Sequence, residues 1–406
     1  MSEVIGQELE QKTLIGRFGV HDSWFFRESR AHDSIGVSQL ASLFPPPAST
    51  LAGAIKTWVG DQLGINWQAF SKADQSLQQD TGERFSACQV IGGHGQLGAI
   101  KLAGPWLLLQ NQRYFPAPAL LLGIMNNRAL ASLYRLAPGE PVRCDLGRVR
   151  LPALVASDVE GCKELSQFWI SERGLSELLQ GNTPSPGQLI NLTDWIVEEP
   201  RLGIARDNER ATVLEGKLYQ TRHLRLEDGL AVECGISGLP NTLSQQLQEG
   251  NQLLRLGGEG RQAELSIHGD TLPLPALPKF STGDGLVLVF LTAAYFDREG
   301  EATWLPDGFE PIISGKNCQV WRGTINGVEL DIESAAMGKA SREGGWDLQL
   351  NEPKPVRSLV AAGSCYFCRP VTVSVKDAAE ALHGCTIGGE QSLGRGLITC
   401  GIWKTD

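Results

Sequence analysis

The sequence predicts a protein of the α+β class, and three observations support this class. Strand-like and helix-like segments occur in both halves of the chain, without the regular strand–helix–strand alternation that is typical of a parallel sheet. Glycine contributes 47 and proline 21 of the 406 residues, a content that favours many turns and loops over a helical bundle. The sequence has no short-period internal repeat that would indicate a solenoid.

The clearest predicted helix follows the prolines at positions 45–47, which end the preceding segment. Ser49 or Thr50 is a candidate N-cap. Apolar side chains then recur at helical spacing, at Leu51, Ile55, Trp58 and Val59.

Other elements are predicted from local patterns. The apolar run at 286–296 predicts a buried strand, and Asn326-Gly327 predicts a type I′ hairpin turn between two strands. Further expected elements are two strands within 85–109, a helix within 116–133, an amphipathic helix over 164–179, a polar helix or excursion over 241–252 and a short helix over 378–383.

The length of the chain is sufficient for two or three domains. Residues 182–187 are rich in Pro, Ser and Gly and resemble a linker. We therefore predict a flexible polar head over 1–12, an N-terminal domain over 13–187 and a C-terminal domain over 188–406, with interleaving of strands across the boundary left open.

Charge and cysteine content restrict the function. The formal net charge is −10, which argues against binding of nucleic acid through overall basicity. A local basic groove remains compatible with this charge, because salt screens repulsion beyond about 10 Å. Nine scattered cysteines, a polar start and no long apolar segment predict a reduced, cytoplasmic protein without a membrane span. Cys365 and Cys368 lack the partners of a zinc site, so no metal is expected.

Residues 201–226 form the most basic part of the chain, with six basic and three acidic side chains. Tyr219 and His223 are interleaved with them. Such a mixture is typical of an RNA-binding surface, in which Arg and Lys contact phosphates and an aromatic ring stacks on a base. The alternative is a solvated strand face with ion pairs to Asp207, Glu209 and Glu215.

Two glycine-rich loops are the other candidate sites: the first glycine loop, residues 256–261, and the second glycine loop, residues 388–396. Serial N–H groups in such loops can hold a phosphate, but they can equally form plain structural turns. The second lacks the Lys and Ser/Thr of a nucleotide hydrolase. The Gly-x-Gly-x-x-Gly at 93–98 precedes a strand-like segment, so it favours a glycine hairpin over a dinucleotide site.

Several of these segments together resemble one family. They are residues 46–55, 102–108, 114–118, 203–207, 215–219, 223–225, 256–261, 345–347, 354–357 and 362–367. In their order along the chain they resemble the third subunit of the Cmr complex, a RAMP protein of type III-B CRISPR-Cas systems. The resemblance extends from about residue 13 to the C-terminus, apart from the Gln-rich 241–252 region.

The resemblance implies two ferredoxin-like, RRM-type domains with glycine-rich loops and insertions. It implies a non-catalytic subunit that serves antiviral defence, holds the repeat-derived 5′ tag of the guide RNA and bridges the large polymerase-like subunit to the backbone subunits. The target RNA would be an indirect partner, and no cofactor is implied. In such assemblies base pairing reads the sequence, while the protein grips the RNA backbone.

The predicted RNA-binding residues lie in or next to the matched segments and in the two glycine loops. They are Ser49, Thr50 and Lys56 at the first helix, where free N–H groups favour phosphate, then Arg201, Arg206, Arg210, Lys217, Tyr219, Arg222, His223 and Arg225, and finally Gly258, Arg261, Gly394 and Arg395.

Two alternative functions remain open. The first is a RAMP endoribonuclease that processes CRISPR transcripts without metal, with His21 or His223 as general acid or base. The second, a nucleotide-binding metabolic enzyme, depends only on degenerate glycine motifs.

Overall fold

The structure is a computed structural model that describes residues 13–28, 39–72, 76–78, 84–93, 98–156, 159–207, 212–272, 274–314, 317–347 and 352–404. The predicted head at 1–12 and Arg210 lie outside the described residues. Within the described ranges the protein is strand-rich and mixed, with several antiparallel sheets, and the predicted α+β class is confirmed at this level.

The described strands, numbered in chain order, are β1 Leu14–Val20, β2 Gln39–Leu40, β3 Ser76–Gln78, β4 Arg84–Ser86, β5 Lys101–Leu109, β6 Gln112–Pro116, β7 Leu121–Asn126, β8 Ala129–Cys144, β9 Gly147–Leu154, β10 Lys163–Glu164, β11 Phe168–Ser171, β12 Leu189–Asn191, β13 Ile196–Asp207, β14 Thr212–Leu226, β15 Leu230–Ser237, β16 Gln252–Arg255, β17 Gln262–Ile267, β18 Gly285–Phe290, β19 Asp297–Arg298, β20 Glu301–Ala302, β21 Glu310–Ile313, β22 Gln319–Ile325, β23 Val328–Ala336, β24 Ser341–Asp347, β25 Glu352–Leu359, β26 Cys365–Pro370 and β27 Ile398–Trp403.

The described α-helices are α1 Ala48–Gln62, α2 Trp67–Phe70, α3 Ala87–Ile91, α4 Glu172–Leu179, α5 Asn241–Glu249 and α6 Val375–Leu382. Among the described residues, no helix is both long and apolar enough to cross a membrane.

The chain divides into two compact units, each built from three separated stretches. Unit 1 contains residues 1–110, 195–272 and 342–357. Unit 2 contains residues 111–194, 273–341 and 358–406.

Unit 1 contains five strands in the order β5-β15-β1-β17-β16, and every adjacent pair is antiparallel. Helix α1 packs on this sheet and buries Leu51, Ile55, Trp58 and Val59, the apolar face that the sequence predicts. Burial of each such side chain contributes roughly 1.5–3 kcal/mol. This sheet and its helix form the support for the candidate site.

A second sheet of unit 1 has the order β13-β14-β2. Strands β13 and β14 form a long antiparallel hairpin that has a register shift between Ile204 and Arg206. Trp24, which lies just after β1, forms a bridge with Leu224 of β14. The basic stretch of the sequence is therefore this hairpin, and its base is held against the end of the first strand.

The main sheet of unit 2 has the order β21-β22-β23-β26-β18-β27. Strand β18 is buried along its whole length, as its apolar sequence predicts. Helix α6 packs Ala378, Ala379 and Leu382 into the same core. Unit 2 also contains the smaller sheets β10-β7-β8-β9 and β19-β20, and three paired strands in the order β12-β11-β6.

Three local predictions of strand and helix are wrong. The helix expected over 164–179 begins only at Glu172, because residues 168–171 form strand β11. Residues 116–133 form no helix but the strands β7 and β8, which are joined through Asn127 and Arg128, both with positive φ. Pairing within the sheet overrides helical propensity here. Within 85–109 a helix, α3, replaces part of the expected strands, because Ser86 and Gln89 form a capping box.

Other local predictions are confirmed. Asn326 and Gly327 both have positive φ in the turn between β22 and β23, as a type I′ hairpin requires. The polar segment at 241–249 is helix α5 and the segment at 375–382 is helix α6. All nine cysteines are free thiols, and Cys365 and Cys368 are fully buried in β26.

Candidate nucleic-acid interface

The β13–β14 hairpin has two faces, and the predicted basic residues divide between them. Glu199 is opposite His223, Arg201 is opposite Thr221, and Arg225 follows two residues after His223 on the same strand. Because side chains alternate along a strand, these odd-numbered residues share one side of the hairpin, which we call the odd face. The odd face is directed toward Asp22 and the first glycine loop.

Arg222 lies on the opposite, even face. It is in register with Pro200, and its Nη1 donates to Glu198 Oε2 at 2.8 Å. The structure therefore separates Arg222 from Arg201, His223 and Arg225, although all four come from the same basic segment.

Three arginines converge on one carboxylate at the odd face, and we call Arg201, Arg225 and Arg261 the arginine cluster. Arg201 Nη2 and Arg261 Nη1 donate to Asp22 Oδ2 at 3.3 and 3.1 Å. Arg225 Nη2 donates to Asp22 Oδ1 at 3.2 Å. Glu199 accepts from Arg201 Nε at 2.9 Å and from Arg225 Nη2 at 2.8 Å. Two strands and a loop thus bring three guanidinium groups to one partly exposed point.

The titration of the carboxylates follows from these contacts. Hydrogen bonding and charge from Arg201 and Arg225 lower the pKa of Asp22 below its ordinary value. The hydrogen bond from Arg225, and then that from Arg201, lower the pKa of Glu199. Both carboxylates are therefore ionised at neutral pH, and the cluster keeps its ion pairs across the physiological range.

His223 lies beneath the arginine cluster and is fully buried. Its Nε2 is 2.9 Å from Glu259 Oε2 and its Nδ1 is 3.3 Å from Ser23 Oγ. Phe25 stacks on the imidazole, with ring centroids 5.3 Å apart. Burial lowers the pKa of His223, although the hydrogen bond to Glu259 opposes this shift. The side chain therefore connects the hairpin to the first glycine loop from within, instead of presenting an imidazole to solvent.

The first glycine loop packs its backbone directly on the segment after β1. A Cβ on Gly257, which has φ +95°, would lie 2.7 Å from the carbonyl oxygen of Phe25. Gly258 N donates to that same oxygen at 2.8 Å. Glu259 follows with φ +55°, and Arg261 closes the loop. The loop thus directs its N–H at Gly258 inward and places Glu259 and Arg261 against the hairpin.

The second glycine loop has the same backbone contact in unit 2. A Cβ on Gly388 would lie 2.5 Å from the carbonyl oxygen of Tyr295, and Gly389 N donates to that oxygen at 2.8 Å. Arg395 is 4% exposed, and its Nε donates to Glu390 Oε2 at 2.7 Å. Gly394, with φ +80°, ends a short 3₁₀ turn within the loop, and its carbonyl oxygen accepts from Thr292.

The residues predicted on the first helix lie within α1. The N-cap is Pro47 and has no side-chain cap hydrogen bond, so the prediction of Ser49 or Thr50 as cap is wrong by two and three positions. Both occupy the first turn. Lys56 lies two turns farther on, where burial, and then the charge of Lys354, lower its pKa.

The remaining predicted residues lie along the hairpin. The ring of Tyr219 lies across Gly203, where a Cβ would be 2.2 Å from Cζ of the tyrosine, so one face of this ring is covered by backbone. Arg206 and Lys217 belong to β13 and β14, but their side chains lie outside the described part of the structure, as does the whole of Arg210.

Sequence reasoning missed the acidic side of the site. The expected ion-pair partners Asp207, Glu209 and Glu215 have side chains outside the described part, and the carboxylates seen at the hairpin are Asp22, Glu198, Glu199 and Glu259. Strand alternation provided a signal for Glu199, which is two residues from Arg201. No local signal connects Asp22 to residues about 200 positions away.

The comparisons with known proteins now identify the family. The sequence model described as "CRISPR-associated protein (Cas_Cmr3)" matches residues 20–403. The chain is therefore a CRISPR-associated protein. Within this class it belongs to the Cas_Cmr3 family, as the resemblance of its sequence segments implies. None of the curated proteins compared with it matches its sequence.

Several solved structures contain a chain that is similar to this one. One is described as a type III-B Cmr-beta complex bound to cognate target RNA, with 15% identity, a TM-score of 0.46 and coverage of 87% of this chain and 86% of that chain. Another is a Csm3–Csm4 subcomplex of a type III-A interference complex, with 12% identity, a TM-score of 0.39 and coverage of 88% and 93%. A third is a Csm1–Csm4 cassette in complex with pppApA, with 12% identity, a TM-score of 0.31 and coverage of 89% and 98%.

Proposed function

We propose that this chain is a non-catalytic, RNA-binding subunit of a type III-B CRISPR effector complex. In this proposal it works in the cytoplasm in antiviral defence and holds the repeat-derived 5′ tag of the guide RNA. It also bridges the large polymerase-like subunit to the backbone subunits, and meets target RNA only indirectly. Membership of the Cas_Cmr3 family supports the assignment to such a complex.

The convergence of the arginine cluster is the observation that carries the RNA-binding part of the proposal. Arg201, Arg225 and Arg261 meet within 3.3 Å of one carboxylate in a chain of net charge −10. Arginine is the side chain best suited to phosphate, because its planar fork donates two parallel N–H groups. A preorganised group of three suits a backbone phosphate of RNA, which would lie along the odd face.

We also propose that each unit is built on a ferredoxin-like module. In unit 1 the chain order β1, α1, β5, β15, α5, β17 and the sheet order β17-β1-β15-β5 agree with the strand–helix–strand–strand–helix–strand arrangement of that fold. In unit 2 the sheet order β27-β18-β26-β23 is equivalent, and α6 connects β26 to β27. The hairpin β13–β14 is then an insertion between two strands of the first module.

The alternative nuclease function receives less support from the geometry. A general acid or base must reach the scissile phosphate within hydrogen-bonding distance. His223 is fully buried and both ring nitrogens have protein partners. Of the two histidines that the nuclease hypothesis names, His21 is the one that is exposed to solvent.

The proposal is tested by RNA affinity of the full chain. Fluorescence anisotropy would compare the wild type with Arg225→Ala and Arg201→Ala, using a labelled guide that begins with its repeat-derived 5′ tag and a scrambled RNA. We expect each variant to weaken binding by about threefold to tenfold, since each removes a charge-assisted contact. The slope of log affinity against log salt should decrease by about 0.7 per lost phosphate contact.

Two matched controls accompany this measurement. Arg222→Ala removes a charge from the even face of the same hairpin, and Arg173→Ala removes an arginine that is 78% exposed on α4. Both should leave affinity and salt slope close to those of the wild type. Equal binding by Arg225→Ala, Arg201→Ala and the controls would contradict the proposed interface, and cleavage of the guide during the assay would favour the nuclease.

A further inference from the structure

Asp22 is placed where a ligand of the arginine cluster would be expected. It accepts one N–H from each of three guanidinium groups, which come from β13, β14 and the first glycine loop. A single carboxylate has only two oxygens for these donors, and Oδ2 receives two of them. Arginine–carboxylate pairs in proteins are frequently two-pronged, with two parallel hydrogen bonds.

The donors of the cluster are only partly used by this carboxylate. Each arginine gives Asp22 one N–H instead of the two-pronged contact that its shape allows. The Nε of Arg261 is buried and has no hydrogen-bond partner within the part of the chain that the structure describes. A buried donor without an acceptor is costly, and a phosphate group, with oxygens in more directions than a carboxylate, offers Arg261 a further acceptor, whereas Arg201 and Arg225 also donate to Glu199.

Asp22 is also easily displaced. Its side chain is 47% exposed, and exposed ion pairs contribute little free energy because water and salt screen them. Asp22 lies between the end of β1 and the buried residue Ser23. Trp24, which follows Ser23, is paired with β14. The residue is therefore attached to a fixed point of the backbone while its carboxylate remains at the surface.

Local charge gives this arrangement a function. Three arginines face the carboxylates of Asp22 and Glu199, and the nearby Glu259 is hydrogen-bonded to His223. While Asp22 occupies the cluster, the net positive charge at the odd face is small, so the face attracts polyanions only weakly. Displacement of the Asp22 carboxylate would raise the net charge by one unit at the point where the guanidinium groups meet.

We infer that Asp22 is a built-in stand-in for an RNA phosphate: its carboxylate occupies the phosphate position in the arginine cluster, and a backbone phosphate of bound RNA displaces it. The inference rests on the proposed RNA-binding function and adds regulation to the same site. The carboxylate keeps the arginines in position before binding and lowers the affinity for RNA that makes only this one contact.

The test is the RNA affinity of Asp22→Asn in the full chain. Removal of the competing charge should tighten binding of the labelled guide by at least about threefold at low salt. Asp228→Asn is the matched control, since it removes one carboxylate from an exposed turn of the same unit and should change affinity much less. The gain from Asp22→Asn should disappear when it is combined with Arg225→Ala.

The outcomes separate the two proposals. If Arg225→Ala weakens binding but Asp22→Asn leaves it unchanged or weakens it as well, Asp22 only supports the arginines and the inference is wrong. If neither Arg225→Ala nor Arg201→Ala changes affinity, the proposed RNA interface itself is wrong. A gain with Asp22→Asn that persists in the Arg225→Ala background is a general charge effect and also contradicts the inference. A thermal melt of each variant verifies that it is folded.

Discussion

The two glycine loops use the same backbone device but direct their side chains differently. In each loop a glycine with positive φ, Gly257 at +95° or Gly388 at +86°, packs on the carbonyl oxygen of an aromatic residue. The next glycine donates its N–H to that oxygen at 2.8 Å in both cases. A glutamate with positive φ follows, Glu259 at +55° or Glu390 at +56°. The two loops therefore share the backbone geometry of these three residues.

The difference lies in the partners of the charged side chains. In the first glycine loop Glu259 bonds to His223 of the hairpin, and Arg261 bonds to Asp22. In the second, Glu390 and Arg395 bond to each other within the loop. The charged side chains of the first glycine loop thus contact the candidate site in unit 1, whereas the second glycine loop pairs Glu390 with Arg395.

Substitution of the first glycine in each loop should have the largest effect. Gly257→Ala and Gly388→Ala each combine positive φ with a Cβ closer than 3 Å to a carbonyl oxygen. We expect each to lower the free energy of unfolding by about 3 kcal/mol, measured by chemical denaturation. Gly257→Ala should also weaken RNA binding, whereas Gly388→Ala should not.

Gly260→Ala is the control for this prediction. Gly260 also has positive φ, +67°, but no atom lies within 4 Å of its Cβ position, so only the backbone strain of about 1 kcal/mol should remain. If Gly257→Ala costs no more than Gly260→Ala, the contact with the Phe25 carbonyl is not what fixes the loop.

Structural features that depend on neighbouring residues are easier to predict from the sequence than features that depend on residues far away along the chain. The helix after the prolines, the buried strand at 285–290 and the turn at Asn326-Gly327 depend on neighbouring residues, and the sequence predicts all three. The hairpin at 121–144 depends on pairing as well as on local propensity, and the apolar pattern there wrongly favours a helix. The interleaved units are still harder to derive, because β1 pairs with β15 more than 200 residues later.

The candidate site shows the same limit. Clustering of basic residues identifies Arg201 and Arg225, and the glycine motif identifies Arg261. The sequence does not indicate that Arg222 faces away, because that depends on the register of the hairpin. Nor does it indicate Asp22, which is 239 positions from Arg261 and meets it only through the folded sheet.

Substitution of Arg395 should have a smaller effect than the glycine substitutions, but it should distinguish the two loops more sharply. The Arg395 side chain is buried and paired with Glu390, and Arg395→Met should remove this ion pair. Breaking such a pair should lower the free energy of unfolding by about 2 kcal/mol, measured by denaturation, with no change in RNA affinity. Arg261→Met should do the reverse, with little loss of stability and weaker RNA binding. If Arg395→Met weakens RNA binding while the protein stays folded, the second glycine loop also contacts RNA.

The smallest expected effect is a difference in pH dependence, because Glu259 has a titratable partner whereas Glu390 is paired with arginine. Burial holds the pKa of His223 below its ordinary value in the folded protein. As pH falls through about 6.5, the unfolded chain therefore binds a proton before the folded chain does, and the free energy of unfolding decreases until the pKa of the folded state is reached.

His223→Gln should keep a polar group next to Glu259 but remove this titration, so its Tm should decrease less than that of the wild type between pH 7 and pH 5. The pKa of His383 in unit 2 is also lowered by burial, and it contributes a similar decrease that this substitution leaves intact. His383→Gln is therefore the matched variant. His223, unlike His383, connects to the arginine cluster through the first glycine loop. We therefore expect His223→Gln, but not His383→Gln, to reduce any pH dependence of RNA binding. If the two variants alter the pH dependence of RNA binding equally, the coupling of His223 to the odd face is wrong.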